Sequence, residues 1–127
     1  MAGGQPDIMV SGEADASTPR RMRRLFAETF PTLPRLDDAL LCISEAVTNA
    51  VLHARTPIEV IVIDSGAWVR VEVRDGSPLL PEHRMVDETS PTGRGVHLLD
   101  RLCSRWGVEV EPAGKTVWLE FDTGRVA

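Results

Sequence analysis

Long apolar runs are missing from this 127-residue chain: none approaches the roughly 20 residues that a membrane-crossing helix needs. The N-terminal stretch MAGGQPDIMV has neither the basic region nor the long apolar region of a secretory leader, so a soluble, cytoplasmic protein is expected. Cysteine is scarce. Cys42 and Cys103 both fall in apolar helical patterns, with no Cys-x-x-Cys or His/Cys cluster around them. This argues against a disulfide framework or a cysteine-bound metal and for two buried thiols in a reducing compartment. Positive charge is in deficit as well: 14 Lys and Arg stand against 19 Asp and Glu, a net charge of −5. Direct nucleic-acid binding, which favours basic domains, is therefore not expected. The one basic cluster, Arg20, Arg21, Arg23 and Arg24, reads as a solvated helix face. The chain has no internal repeat and no low-complexity tract.

What is present is an ordinary globular balance, 43% hydrophobic and 26% charged residues, long enough for one domain with its own core. After a flexible segment over 1–15, in which DIMVSG has the pattern of a short edge strand, the stretch ASTPRRMRRLFAETF predicts a helix. Ser17 is placed as its N-cap, Pro19 falls in its first turn, and Leu25 and Phe26 face inward. A second helix is predicted from Leu36 to Ala54. Two strands, Ile58–Ile63 and Trp68–Arg74, flank a Ser65-Gly66 turn. The following stretch, SPLLPEHRMVDETSPTG, has three prolines and no period, the character of a binding loop or lid, with Glu82–Thr92 as the expected mobile part. A third helix, GVHLLDRLCSRW, begins directly after Gly93-Arg94-Gly95, and GVEVEPAGKTVWLEF closes the chain as a hairpin. This order leaves no room for a series of parallel crossovers. It predicts an α+β, two-layer sandwich: a mixed sheet with helices on one face.

Three local features carry chemistry. On the second helix Glu45, Asn49 and His53 recur every four residues and therefore stack along one side. On a helical wheel Leu36, Leu40, Ile43, Val47, Ala50, Val51 and Ala54 form the expected core face, with Glu45 opposite them. Yet the neighbours of Glu45 are Leu41, Cys42 and Leu52 rather than charged residues, so this face too is partly covered. Polar groups there either meet a ligand or make capping and structural hydrogen bonds. The second feature is Asp75-Gly76, at the end of a strand. A carboxylate so placed can accept from the exocyclic amine of adenine and repels the oxygen of guanine; an ordinary Asp-Gly turn is the alternative. The third is Gly93-Arg94-Gly95 at a helix start, where free backbone N–H groups attract phosphate, although glycine also serves plain helix entry. PAGKT imitates the tail of a P-loop, but Glu109 stands where the first glycine belongs and a strand follows, so it is a decoy.

Taken together and in this order, SEAVTNAVLHA, DGSPLLP, GRGVHLL and GKTV resemble the motifs of the GHKL (Bergerat-fold) ATPase superfamily of gyrase, Hsp90, histidine kinases and MutL. The similarity extends over roughly Ala16 to Phe121 and is strongest to the stand-alone anti-sigma-factor serine/threonine kinases of bacteria. It implies an ATP-binding domain over 16–123. Asn49 would ligate Mg²⁺ and Glu45 would be the general base. Asp75 and Gly76 would meet the adenine, Gly93, Arg94 and Gly95 would wrap the phosphates, and Thr116 would support the hydrogen bonds on the adenine side. His53 is expected to pack or to edge the pocket rather than to act in catalysis. One departure is plain: Ser77 and Leu79 occupy the two glycine positions of the usual first glycine box. The implied partners are an anti-sigma-factor antagonist protein, a sigma factor or both, with a homodimer compatible and no membrane or nucleic acid involved. The chain shows no phospho-accepting histidine helix, so a complete sensor histidine kinase is not expected. The alternatives to a kinase are a non-catalytic, ATP-dependent protein-binding module and, less favoured because no transducer domain follows, a small ATPase cut from a larger machine.

Overall fold

Period-two alternation on the strands and a broad apolar stripe on one long helix generate the core. The computed structural model describes residues 7–12, 15–53, 56–77 and 93–125, with the backbone alone for 93–97. The elements are β1 (Ile8–Gly12), α1 (Thr18–Thr29), α2 (Leu36–His53), β2 (Ile58–Asp64), β3 (Trp68–Asp75), α3 (Gly93–Leu102), β4 (Arg105–Glu111) and β5 (Gly114–Asp122). The expected lid over Glu82–Thr92, Leu79 and Ala54 lie outside the described residues. No helix among the described residues is long and apolar enough to cross a membrane.

The five strands form one sheet in the order β1-β2-β3-β5-β4. The α+β class is as expected, and so is the edge position of the first strand. The sheet, however, is not mixed: every pairing among the described strands is antiparallel. The reason is topological. The chain leaves β3, passes through α3 and returns as β4 in the same direction as β3, but β5 inserts between those two and runs against both.

Residues Val69, Val71 and Val73 of β3 and Val117, Leu119 and Phe121 of β5 face α2 and the core, which also holds Met22, Phe26, Ile43, Val47 and Leu99. Burying each such side chain contributes about 1.5–3 kcal/mol. The intervening residues of the same strands face outward. There Arg70 bonds Glu72 at 2.8 Å and Glu120 at 2.9 Å and lies 4.6 Å over the Trp118 ring. Trp118 in turn crosses Gly107, where a Cβ would stand 2.7 Å from the indole.

Three local expectations are revised. Ser17 does occupy the N-cap of α1 but makes no side-chain cap bond; its N–H and hydroxyl both donate to the Asp15 carboxylate, which organises the turn instead. Along α2 the fully buried residues are Ala39, Cys42, Ile43, Ala46, Val47, Asn49 and Ala50, while Leu36, Leu40 and Val51 only border the core and Leu41 and Leu52 are exposed. The core face is thus rotated toward Cys42. Docking of α3, where the Leu98 carbonyl oxygen accepts from Cys42 Sγ at 3.9 Å, buries that flank. Finally, α3 begins at Gly93 rather than after Gly95 and stops at Leu102 rather than at Trp106. Arg105 and Trp106 pair with Glu120 and Leu119 on β5, and Trp106 Nε1 donates to Asp100 at 2.8 Å, so sheet pairing overrides the helical period.

Candidate functional site

The polar stripe on α2 divides into three different environments. Asn49 is 9% exposed and sits among core residues, yet among the described residues neither its Nδ2 nor its Oδ1 has a hydrogen-bond partner. An amide buried in this way costs about 1–3 kcal/mol relative to a satisfied one. Such a group calls for an external partner or a functional reason. One turn earlier Glu45 is half-buried, and desolvation alone raises its carboxyl above the usual glutamate range. Burial has therefore made a stronger base of it, with no counter-charge from the described residues. His53, in the last turn, is half-buried as well.

At the end of β3, the Asp75 carboxylate is held by three hydrogen bonds from two groups. Its Oδ1 accepts from the Ser77 N–H at 2.8 Å. Lys115 Nζ then donates to both carboxylate oxygens, at 3.0 and 2.9 Å. The Asp75 and Lys115 side chains are only 2% and 5% exposed. Next to them the Gly76 N–H donates to Thr56 Oγ1 at 2.9 Å. Thr56 follows His53 by three residues, a span of at most about 11 Å. Chain connectivity therefore brings the C-terminal end of α2, with Asn49 and His53, to the same end of the sheet as Asp75-Gly76. Gly114 closes this end: at φ +151 it packs so tightly on the Asp75 carbonyl and Gly76 Cα that no Cβ fits.

Not every expected residue joins this group. Thr116 pairs in register with Arg74 and Glu109 and lies on the outer face, because alternation from the buried Val117 turns position 116 away from α2. The residue that faces inward beside Asp75 is Lys115, and Thr116 stands one position away on the other face. Gly93, Arg94 and Gly95 form the first turn of α3, with only their backbone described. Lys115 and Thr56 are not among the residues that the sequence motifs single out. Lys115 was legible, since a lysine in the inward phase of a strand with Val117, Leu119 and Phe121 needs a buried partner.

A profile of the histidine kinase-like ATPase domain matches residues 13–121. The chain belongs to that family. Among solved structures, the histidine kinase domain of the blue-light activated histidine kinase EL346 from Erythrobacter litoralis is similar, at 25% identity and a TM-score of 0.55. The match covers 69% of this chain and 44% of that one, so the present chain spans less than half of it. No curated protein sequence matches.

Membership of this ATPase family makes the chain an ATP-binding, kinase-like domain and gives the unpartnered amide a context. An amide oxygen suits a hard cation such as Mg²⁺, which takes few protein ligands and completes its shell with water and phosphate oxygens. Among the described residues no cluster of three or more His, Cys, Asp and Glu could hold a metal by itself. Asn49 fits the part of a lone protein ligand to a nucleotide-borne cation, and its buried, unpaired Oδ1 is the observation behind that fit.

Proposed function

We propose that this protein is an ATP-dependent kinase of seryl or threonyl hydroxyls, similar to the anti-sigma-factor kinases, which phosphorylates an antagonist protein and sequesters a sigma factor when that antagonist is modified. The carrying observation is on α2: a half-buried carboxylate with a raised pKa, Glu45, stands one helical turn from a buried amide without a partner, Asn49. Asn49 would hold Mg²⁺, which when bound neutralises charge on the phosphates. Glu45 accepts the proton of the acceptor hydroxyl as its oxygen bonds the γ-phosphorus of ATP, and ADP leaves with the cleaved oxygen. Burial keeps Glu45 basic enough for that step. The backbone N–H groups at the start of α3, Gly93 to Gly95, suit the phosphates because helix N-termini attract anions.

One observation favours a second reading, a non-catalytic module that binds ATP only to shape a partner surface. The carboxylate expected to meet adenine is already engaged by Lys115. Identifying a partner by co-purification and mass spectrometry, then supplying γ-labelled ATP, separates the two. Acid-stable label on a partner serine or threonine supports the kinase, acid-labile label means phosphohistidine, and ATP binding without transfer to any partner favours the module.

A further inference from the structure

Asp75 and Lys115 are register partners on β3 and β5, on the inner side of the sheet, and their contact is nearly sealed from water. A carboxylate offers roughly four lone-pair positions. Three are taken, one by the Ser77 N–H and two by the Lys115 ammonium. A neutral exocyclic amine competes poorly for them, because charge-assisted hydrogen bonds are roughly twice as strong as neutral ones. The ion pair cannot simply slide aside either: Gly114, packed on the Asp75 backbone, fixes where β5 delivers Lys115. The four-carbon lysine stem is the movable part.

We propose that Lys115 is a positioning residue that sets nucleobase selectivity: it closes Asp75 in a buried ion pair, and a purine amine gains the carboxylate only when the ammonium swings out. This rests on the reading of the domain as an ATP-binding kinase with Asp75 at the nucleobase. Apparent ATP affinity is then the affinity of the open form diminished by the fraction that is open. While the pair is closed, selection for a 6-amino over a 6-oxo purine is weak, since the acceptor that would distinguish them is occupied. Removing the ammonium restores both affinity and selectivity.

The test measures dissociation constants of ATP and ITP, with Mg²⁺, for the wild-type protein and Lys115→Thr, whose hydroxyl can still donate to Asp75. ATP should bind about tenfold or more tightly to the variant while ITP gains little, so the ATP-to-ITP preference rises by a similar factor. An unchanged preference, or weaker ATP binding by a folded variant, overturns the proposal and leaves the ATP-binding reading intact. If neither protein binds ATP or ITP, the nucleotide-binding reading itself fails and takes the proposal with it. Should the variant not fold, amine-reactive labelling of the wild type followed by peptide mass spectrometry decides. Labelling of Lys115 should rise on saturation with Mg-ATP, and labelling that stays constant or falls overturns displacement of the ammonium.

Discussion

Asn49 and Asp75 are both buried polar side chains near the same end of the sheet, and they differ in how their hydrogen-bonding capacity is met. Asp75 is satisfied from within, by Ser77 and Lys115. Asn49 is satisfied by nothing among the described residues. The amide on α2 is thus left open at a cost in stability, while the carboxylate at the end of β3 is filled by the chain's own lysine. Two neighbouring parts of one site can therefore respond in opposite senses to substitution: removing Asn49 relieves a penalty, and removing Asp75 creates one.

The largest effect expected is on catalysis. Glu45→Gln should lower phosphoryl transfer to a verified partner by roughly 10²–10⁴-fold, the usual contribution of a general base, with ATP binding largely retained. Quantitative transfer assays check this, and a wild-type rate would remove Glu45 from the mechanism. The pH dependence has a definite sign. Burial raises the folded-state pKa of Glu45, so its protonated form is favoured by the fold, and that stability is present below the ordinary glutamate range and lost as pH rises through the raised value. Glu45→Gln should thus match the wild type in stability at acid pH and exceed it at neutral pH, in urea melts at both.

Next in size is the filled side. Asp75→Ala strands the Lys115 ammonium in a 5%-exposed position and should destabilise the fold by about 3–5 kcal/mol, read by denaturant titration. A loss below about 1 kcal/mol, the value of a surface pair, would mean that Lys115 reaches water easily and that the two sides differ less than their geometry indicates.

Smaller, and opposite in sign, is the open side. Asn49→Leu replaces an unsatisfied amide with a side chain of similar reach and should stabilise the nucleotide-free protein by about 1–3 kcal/mol. The same change should abolish the Mg²⁺-dependent increment of ATP affinity in calorimetry. Destabilisation together with unaltered Mg²⁺ dependence would make Asn49 a structural residue.

The smallest effect serves as the reference for both sides. Arg105 bonds Glu120 at 2.8 Å and Asp122 at 2.6 Å on the outer, solvated side of the sheet. Arg105→Ala should cost only about 0.2–1 kcal/mol and do so less at high salt, as expected for exposed pairs.

Much of this architecture follows from local order in the chain. The turn at Ser65-Gly66 and the alternation on either side are enough to place β2 and β3 within one residue of their ends. The apolar density of LDDALLCISEAVTNAVLH is enough to start α2 at Leu36. The four-residue spacing of Glu45 and Asn49 also marks the stripe that the fold turns into a half-buried carboxylate and a buried amide. Tertiary structure decided what periodicity cannot express. Docking of α3 rotated the core face of α2 toward Cys42 and so took Asn49 into the interior. Pairing with β5 ended α3 four residues early, because Arg105 and Trp106 gain more from cross-strand partners than from another helical turn. The register of β3 against β5 brought Lys115 onto Asp75 across 40 residues of sequence and left Thr116 outside. Local patterns specify which way a side chain points along its own element; the group it meets depends on the element that packs opposite, and only the assembled sheet supplies that.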